Sequence, residues 1–125
     1  MKKNIFKKSF FLLAISLFSI PFLSFSQEKK STTITGEVLD MACYASSGAS
    51  GEGHKSCAAS CIKGGSPMGI LTSDGKVYLL VENHDKKDAY AEAKKHAGEQ
   101  VTATGTLSDK GGLQTLIVDD LKPKG

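Results

Sequence analysis

Five short segments with strand-like patterns, and one helical segment between the third and the fourth, constrain the fold of this chain most. Strands are predicted at 32–41, 68–72, 76–82, 99–107 and 113–121, and a helix at 85–97. Asp74-Gly75 supplies a hairpin turn between the second and third strands. This order predicts an all-β fold with one or two helices, arranged as a small five-stranded OB-like barrel.

The residue patterns within these segments predict which side chains are buried. In the first strand Ile34, Gly36 and Val38 share one face, and Asp40 stands at its end. The nearly continuous apolar run at 77–81 predicts burial of both faces of the third strand. His84 and His96 are predicted to lie on the surface.

The N-terminal segment has the three-part pattern of a secretory signal peptide. Four lysines precede an apolar run at 10–20, and small residues lead up to Ser26. That run is shorter than the roughly 20 residues of a membrane span. We therefore expect cleavage after Ser26, export to the periplasm or beyond the cell, and no transmembrane segment in the mature chain. A polar tether would follow at 27–31, and a single domain at 32–125.

The charge of the predicted mature chain is close to neutral. Four of the 16 basic residues lie in the predicted leader, which leaves 12 against 13 acidic residues. Proteins that bind nucleic acid usually carry a basic surface. We therefore expect no nucleic-acid partner, and the partner classes that remain are a protein or a small ligand.

All three cysteines of the chain, Cys43, Cys57 and Cys61, fall with His54 in an insert predicted at 42–67. His54, Cys57 and Cys61 have the spacing i, i+3 and i+7, so they share one face of a helix predicted at 53–63. Cys43 would join them from the end of the first strand. Three sulfurs and one imidazole complete a tetrahedral zinc shell, and thiolates also suit Cu(I). The sequence predicts one metal ion, with zinc preferred to copper.

Four further residues near this group are candidates for its surroundings. Asp40 either orients His54 as an acceptor or caps a turn. Tyr44 either covers the site or fills the core. Met41 and Met68 bracket the motif, and each either offers a soft thioether or packs in the core.

Two other interpretations of the cysteines remain open. A disulfide from Cys43 to Cys57 or Cys61 would restrain the insert, by about 3 kcal/mol, and leave one thiol over. The protein would then be a disulfide-stapled binding module. Alternatively it is a thiol redox protein, although the cysteines of the insert lack the two-residue spacing typical of redox pairs. No Ser-His-Asp set or phosphate-binding loop occurs, so enzymatic activity is not favoured.

Three runs of the sequence resemble a group of small exported bacterial proteins of OB-like type. They are G-E-V-L-D-M-A-C-Y at 36–44, H-K-S-C-A-A-S-C-I-K-G-G-S-P-M-G at 54–69, and D-G-K-V-Y-L-L at 74–80. The resemblance covers most of the predicted domain, and the Cys/His run is its most specific part. It implies an exported barrel with a Cys/His loop, and it implies no particular activity.

Overall fold

A computed structural model describes residues 29–125, and the predicted signal peptide lies outside this range. Five strands form the sheet: β1 Ser31–Asp40, β2 Met68–Leu71, β3 Val77–Glu82, β4 Gln100–Lys110 and β5 Leu113–Pro123. Within residues 29–125, three helices accompany these strands: α1 Met41–Ser47, α2 Lys55–Lys63 and α3 Lys87–Ala93. Two 3₁₀ turns, Glu52–His54 and Lys94–His96, adjoin α2 and α3.

The strands close into a barrel in the order β1-β2-β3-β5-β4. Neighbouring strands are antiparallel except β3 and β5, which run parallel. Strand β1 pairs with β4 over its first part and with β2 over its last, so it bridges both sides of the barrel. The predicted five-stranded OB-like barrel, with a helix between the third and fourth strands, is confirmed.

The core is formed by one face of each strand together with residues from α2 and α3. Ile34, Gly36, Val38 and Asp40 of β1 are all buried, as their shared face predicted. The prediction that both faces of β3 are buried was wrong, because Leu80 is the one buried residue of that strand. A closed barrel has a single interior, and the alternate residues of a strand point away from it.

In the C-terminal half the helices and strands occur in the predicted order, but their first and last residues differ from the predicted ones. The predicted helix at 85–97 is helix α3 followed by a 3₁₀ turn. Strands β4 and β5 extend to Lys110 and Pro123, and the turn between them is Gly111-Gly112 with positive φ at both residues. Strand pairing therefore continues into polar sequence whose side chains are largely exposed. Within residues 29–125, no helix is both long and apolar enough to cross a membrane.

Candidate metal centre

The Cys/His insert leaves the barrel and returns to it at a single strand pair. Asp40 and Met68 are the last partners in the ladder between β1 and β2. The amide of Met41 then donates a 2.9 Å hydrogen bond to the carbonyl of Pro67. Both ends of the insert are therefore anchored to the same sheet. This fixes the two points between which the segment carrying the donor residues extends.

Cys43 lies in helix α1, whereas the sequence predicted an approach from the strand end. The helix begins at once after β1 because Asp40 caps it, with Oδ1 accepting a 3.0 Å hydrogen bond from the amide of Ala42. It ends at Gly48, whose φ of 72° is the left-handed conformation typical of a helix end. This short helix turns the Cys43 side chain back over the end of β1.

The second helix carries the other two cysteines. Ala58 and Ile62 of α2 are buried in the core, and they share a face at i and i+4. Cys57 and Cys61 each precede one of these residues, so they occupy the neighbouring face. His54 ends the 3₁₀ turn before α2. The helix predicted at 53–63 is confirmed from Lys55 onward, with a 3₁₀ turn before it, and burial of its apolar face sets the direction in which the thiols point.

Five residues bring donor atoms together in two overlapping groups. The first group is Cys43, His54 and Cys57, and the second is Asp40, Cys43 and Cys61. Within each group the donor atoms lie within 4.8 Å of one another. Cys43 belongs to both groups, so the four residues predicted as ligands cluster in a way compatible with one metal ion. All three cysteines are free thiols.

Two buried polar atoms face each other inside this cluster. Nε2 of His54 lies 4.0 Å from Oδ2 of Asp40, and the two side chains are 17% and 0% exposed. Neither atom has a hydrogen-bond partner among the described residues. Buried polar atoms in proteins are nearly always paired, so these two atoms fit a site that binds a further group.

Asp40 and the thiols shift one another's protonation. The carboxylate of Asp40 close to its thiol, and then burial, raise the pKa of Cys43 to about 12. Burial raises the pKa of Cys61, and its interaction with Asp40 adds to that effect. Burial raises the pKa of Asp40, but the hydrogen bond from Ser66, the nearby thiols and the Ala42 amide outweigh it and lower the pKa to about 2. At neutral pH the carboxylate is ionised and the Cys43 thiol keeps its proton, which a metal would have to displace.

No protein-family model matches the chain, and no curated protein compared with it is similar. The site is therefore interpreted from its own donors.

The remaining predicted neighbours are packed around the base of the insert. Met68 is fully buried in the hydrophobic core. Met41 lies against β2, since a Cβ built on Gly69 would meet its Sδ at 2.5 Å. Tyr44 is half-buried on α1. Packing accounts for the positions of both methionines. A direct role of Met41, Met68 or Tyr44 at the site stays a prediction.

Ser66 contacts Asp40 of the candidate site, and no sequence pattern predicted that contact. Its hydroxyl donates to Oδ1 of Asp40 across 26 positions of the chain. Periodicity and short-range spacing carry no signal for a contact of this range. The turn at Gly64-Gly65 and Pro67 is predictable, but its return to the carboxylate of Asp40 depends on the closed barrel.

Proposed function

We propose that this protein binds one metal ion through the cluster of Cys43, His54, Cys57 and Cys61, with zinc preferred to copper. The observation that carries the proposal is the position of Cys43, which belongs to both groups of donor atoms. A set of thiolates with one imidazole is typical of zinc sites in proteins. The buried and unpartnered Nε2 of His54 supports a ligand role for this residue.

A role in handling Cu(I) is the second candidate. Cys57 is exposed, while Cys43 and Cys61 are half-buried, so the cluster opens to solvent on one side. An exposed thiolate is a soft donor from which a Cu(I) ion can pass to a partner protein. A zinc ion with a purely structural role would more often be enclosed on all sides.

We propose that the protein is exported. Export bears on whether its cysteines bind a metal or form a disulfide. Free thiols in an oxidising compartment form disulfides unless something protects them. A bound metal would give that protection to all thiols in its shell. N-terminal sequencing of the mature protein tests the export step, with Gln27 expected as the first residue and Met1 as the contradicting result.

Metal analysis with a parallel thiol count tests the main proposal. Protein purified without chelators is expected to contain close to one equivalent of metal, and Cys43→Ser and His54→Ala to contain little. His84→Ala is the matched control for His54→Ala, because His84 is exposed outside the cluster. Competition titrations with Zn²⁺ and Cu(I) then give the preference between the two ions. Protein that takes up no metal and holds one disulfide and one free thiol would reject the proposal in favour of a stapled binding module.

A further inference from the structure

The two carboxylate oxygens of Asp40 have different surroundings. Oδ1 accepts hydrogen bonds from the Ala42 amide and from the Ser66 hydroxyl. Oδ2 is buried and has no hydrogen-bond partner among the described residues. The helix cap therefore accounts for one oxygen only. The contacts on Oδ1 also fix the plane of the carboxylate, and so the direction of Oδ2.

Oδ2 points into the cluster of donor atoms. It lies 4.0 Å from Nε2 of His54, which is too long for a hydrogen bond between the two atoms. The sulfurs of Cys43 and Cys61 form a group with a carboxylate oxygen of Asp40 within 4.8 Å. A buried polar atom left without a partner costs about 1–3 kcal/mol. Both Oδ2 and Nε2 would gain a partner from a cation between them.

We infer that Asp40 is itself a ligand for a divalent metal ion, to which it gives Oδ2 beside Cys43 and Cys61. This inference rests on the proposed function and extends it. A carboxylate oxygen suits Zn²⁺ and other divalent ions, whereas Cu(I) prefers thiolates. Asp40 is then the residue that favours a divalent ion over Cu(I) at this site.

With Asp40 included, the site has one donor more than the four that zinc usually takes. Five residues offer an atom, and Cys57 is the exposed one among them. The Zn²⁺ affinity of Cys57→Ser is therefore expected to fall less than that of a variant lacking Asp40. For Cu(I) the order reverses, since a thiolate is lost in the first variant and only an oxygen in the second.

The test compares Asp40→Asn with Ser66→Ala. Asparagine caps helices as well as aspartate does, so the first variant keeps the cap and loses the anionic oxygen. Ser66→Ala loses one contact on Oδ1 and keeps Oδ2. Zn²⁺ and Cu(I) affinities are measured by competition with chelators, and the ligand field by the visible spectrum of the Co²⁺-loaded protein. Circular dichroism checks folding, and Asp40→Ser, which also supplies a capping oxygen, replaces Asp40→Asn if that variant fails to fold.

We expect Asp40→Asn to weaken Zn²⁺ binding by more than the roughly 10- to 100-fold typical of a residue that only orients a ligand. Its Co²⁺ spectrum should shift, its Cu(I) affinity should stay within a few-fold of the wild type, and Ser66→Ala should keep the wild-type Co²⁺ spectrum. A Co²⁺ spectrum of Asp40→Asn that overlays the wild type, or an equal loss for Zn²⁺ and Cu(I), would show that Asp40 only positions the site and would overturn the inference. A wild-type protein that binds none of the three ions would overturn the proposed function as well, so the two failures are distinguishable.

Discussion

The backbone amide of Gly51 donates a 2.7 Å hydrogen bond to Oε1 of Glu37. Glu37 belongs to β1, and Gly51 immediately precedes the 3₁₀ turn that carries His54. A carboxylate acceptor makes this a charge-assisted hydrogen bond, which is stronger than a neutral one. The contact therefore fastens the middle of the insert to the barrel at a point remote from both of its ends.

Removing this contact should loosen the insert and leave the barrel intact. We expect Glu37→Ala to lose about 1.5–3 kcal/mol of unfolding free energy, the usual range for a hydrogen bond to a charged group. Limited proteolysis should cut the insert faster, and the affinity for Zn²⁺ should fall. Glu37→Gln keeps an acceptor oxygen at the same place and is the control. Equal cleavage rates for Glu37→Ala and the wild type would contradict a fastening role.

Gly98 allows α2 to pack closely against the turn before β4. Its φ is +71°, and a Cβ built there would lie 2.9 Å from the Cα of Lys55. Gly98→Ala therefore combines an unfavourable backbone conformation, at about 1–2 kcal/mol, with a steric clash. Urea denaturation should show a loss greater than the backbone effect alone.

Gly112→Ala is the matched control for that measurement. Gly112 has a φ of +78°, but nothing lies within 4 Å of the position its Cβ would take. The difference between the two variants isolates the contact with Lys55. Equal losses in both would mean that α2 moves aside without penalty, contrary to tight packing at this point.

His96 should make stability depend on pH. Its side chain is 15% exposed and lies between Glu99, at 2.7 Å, and Glu92, at 3.2 Å, so this predicted surface residue is partly buried by its two partners. Hydrogen bonding to Glu99 raises its pKa in the folded state, although burial acts in the opposite direction. The resulting stabilisation is present below the unfolded pKa of 6.5 and is lost as pH rises through the folded value.

We therefore expect His96→Gln to reduce unfolding free energy more at about pH 5.5 than at about pH 9. The difference should be about 0.5–1 kcal/mol, because both glutamates are partly exposed and their ion pairs are screened. Lys95 and Lys55 also pair with Glu92 and Glu99, which limits the effect further. Denaturant titrations at the two pH values measure it, and a larger loss at high pH would contradict the assignment.

The three thiols should differ in reactivity when no metal is added. Cys57 is exposed, whereas the pKa of Cys43 is raised to about 12 by the nearby carboxylate of Asp40 and by burial. Alkylation proceeds through the thiolate, so a limiting amount of iodoacetamide should modify Cys57 before Cys43. Peptide mass spectrometry gives the order of modification. Modification of Cys43 before Cys57 would contradict a raised pKa of the Cys43 thiol beside Asp40.

The sequence predicted the barrel because its signals are local. Alternation in β1, the Asp74-Gly75 turn and the glycine stops all act within a few residues, and together they give the order of elements. The spacing of His54, Cys57 and Cys61 likewise predicted a shared helix face. The placement of Cys43 on a separate helix was not predicted, since α1 is short and depends on a cap from Asp40. The contact of Ser66 with Asp40 joins positions far apart in the chain, and only the closed sheet brings them together.

The insert at 41–67 departs from and rejoins the barrel at one pair of neighbours, Asp40 and Met68. Another peptide of similar span could therefore be joined to the barrel at the same two residues. Such a graft would have to return two apolar side chains to the places of Ala58 and Ile62, which complete the core. Within that condition, the barrel is a small frame for transplanting binding loops from other proteins.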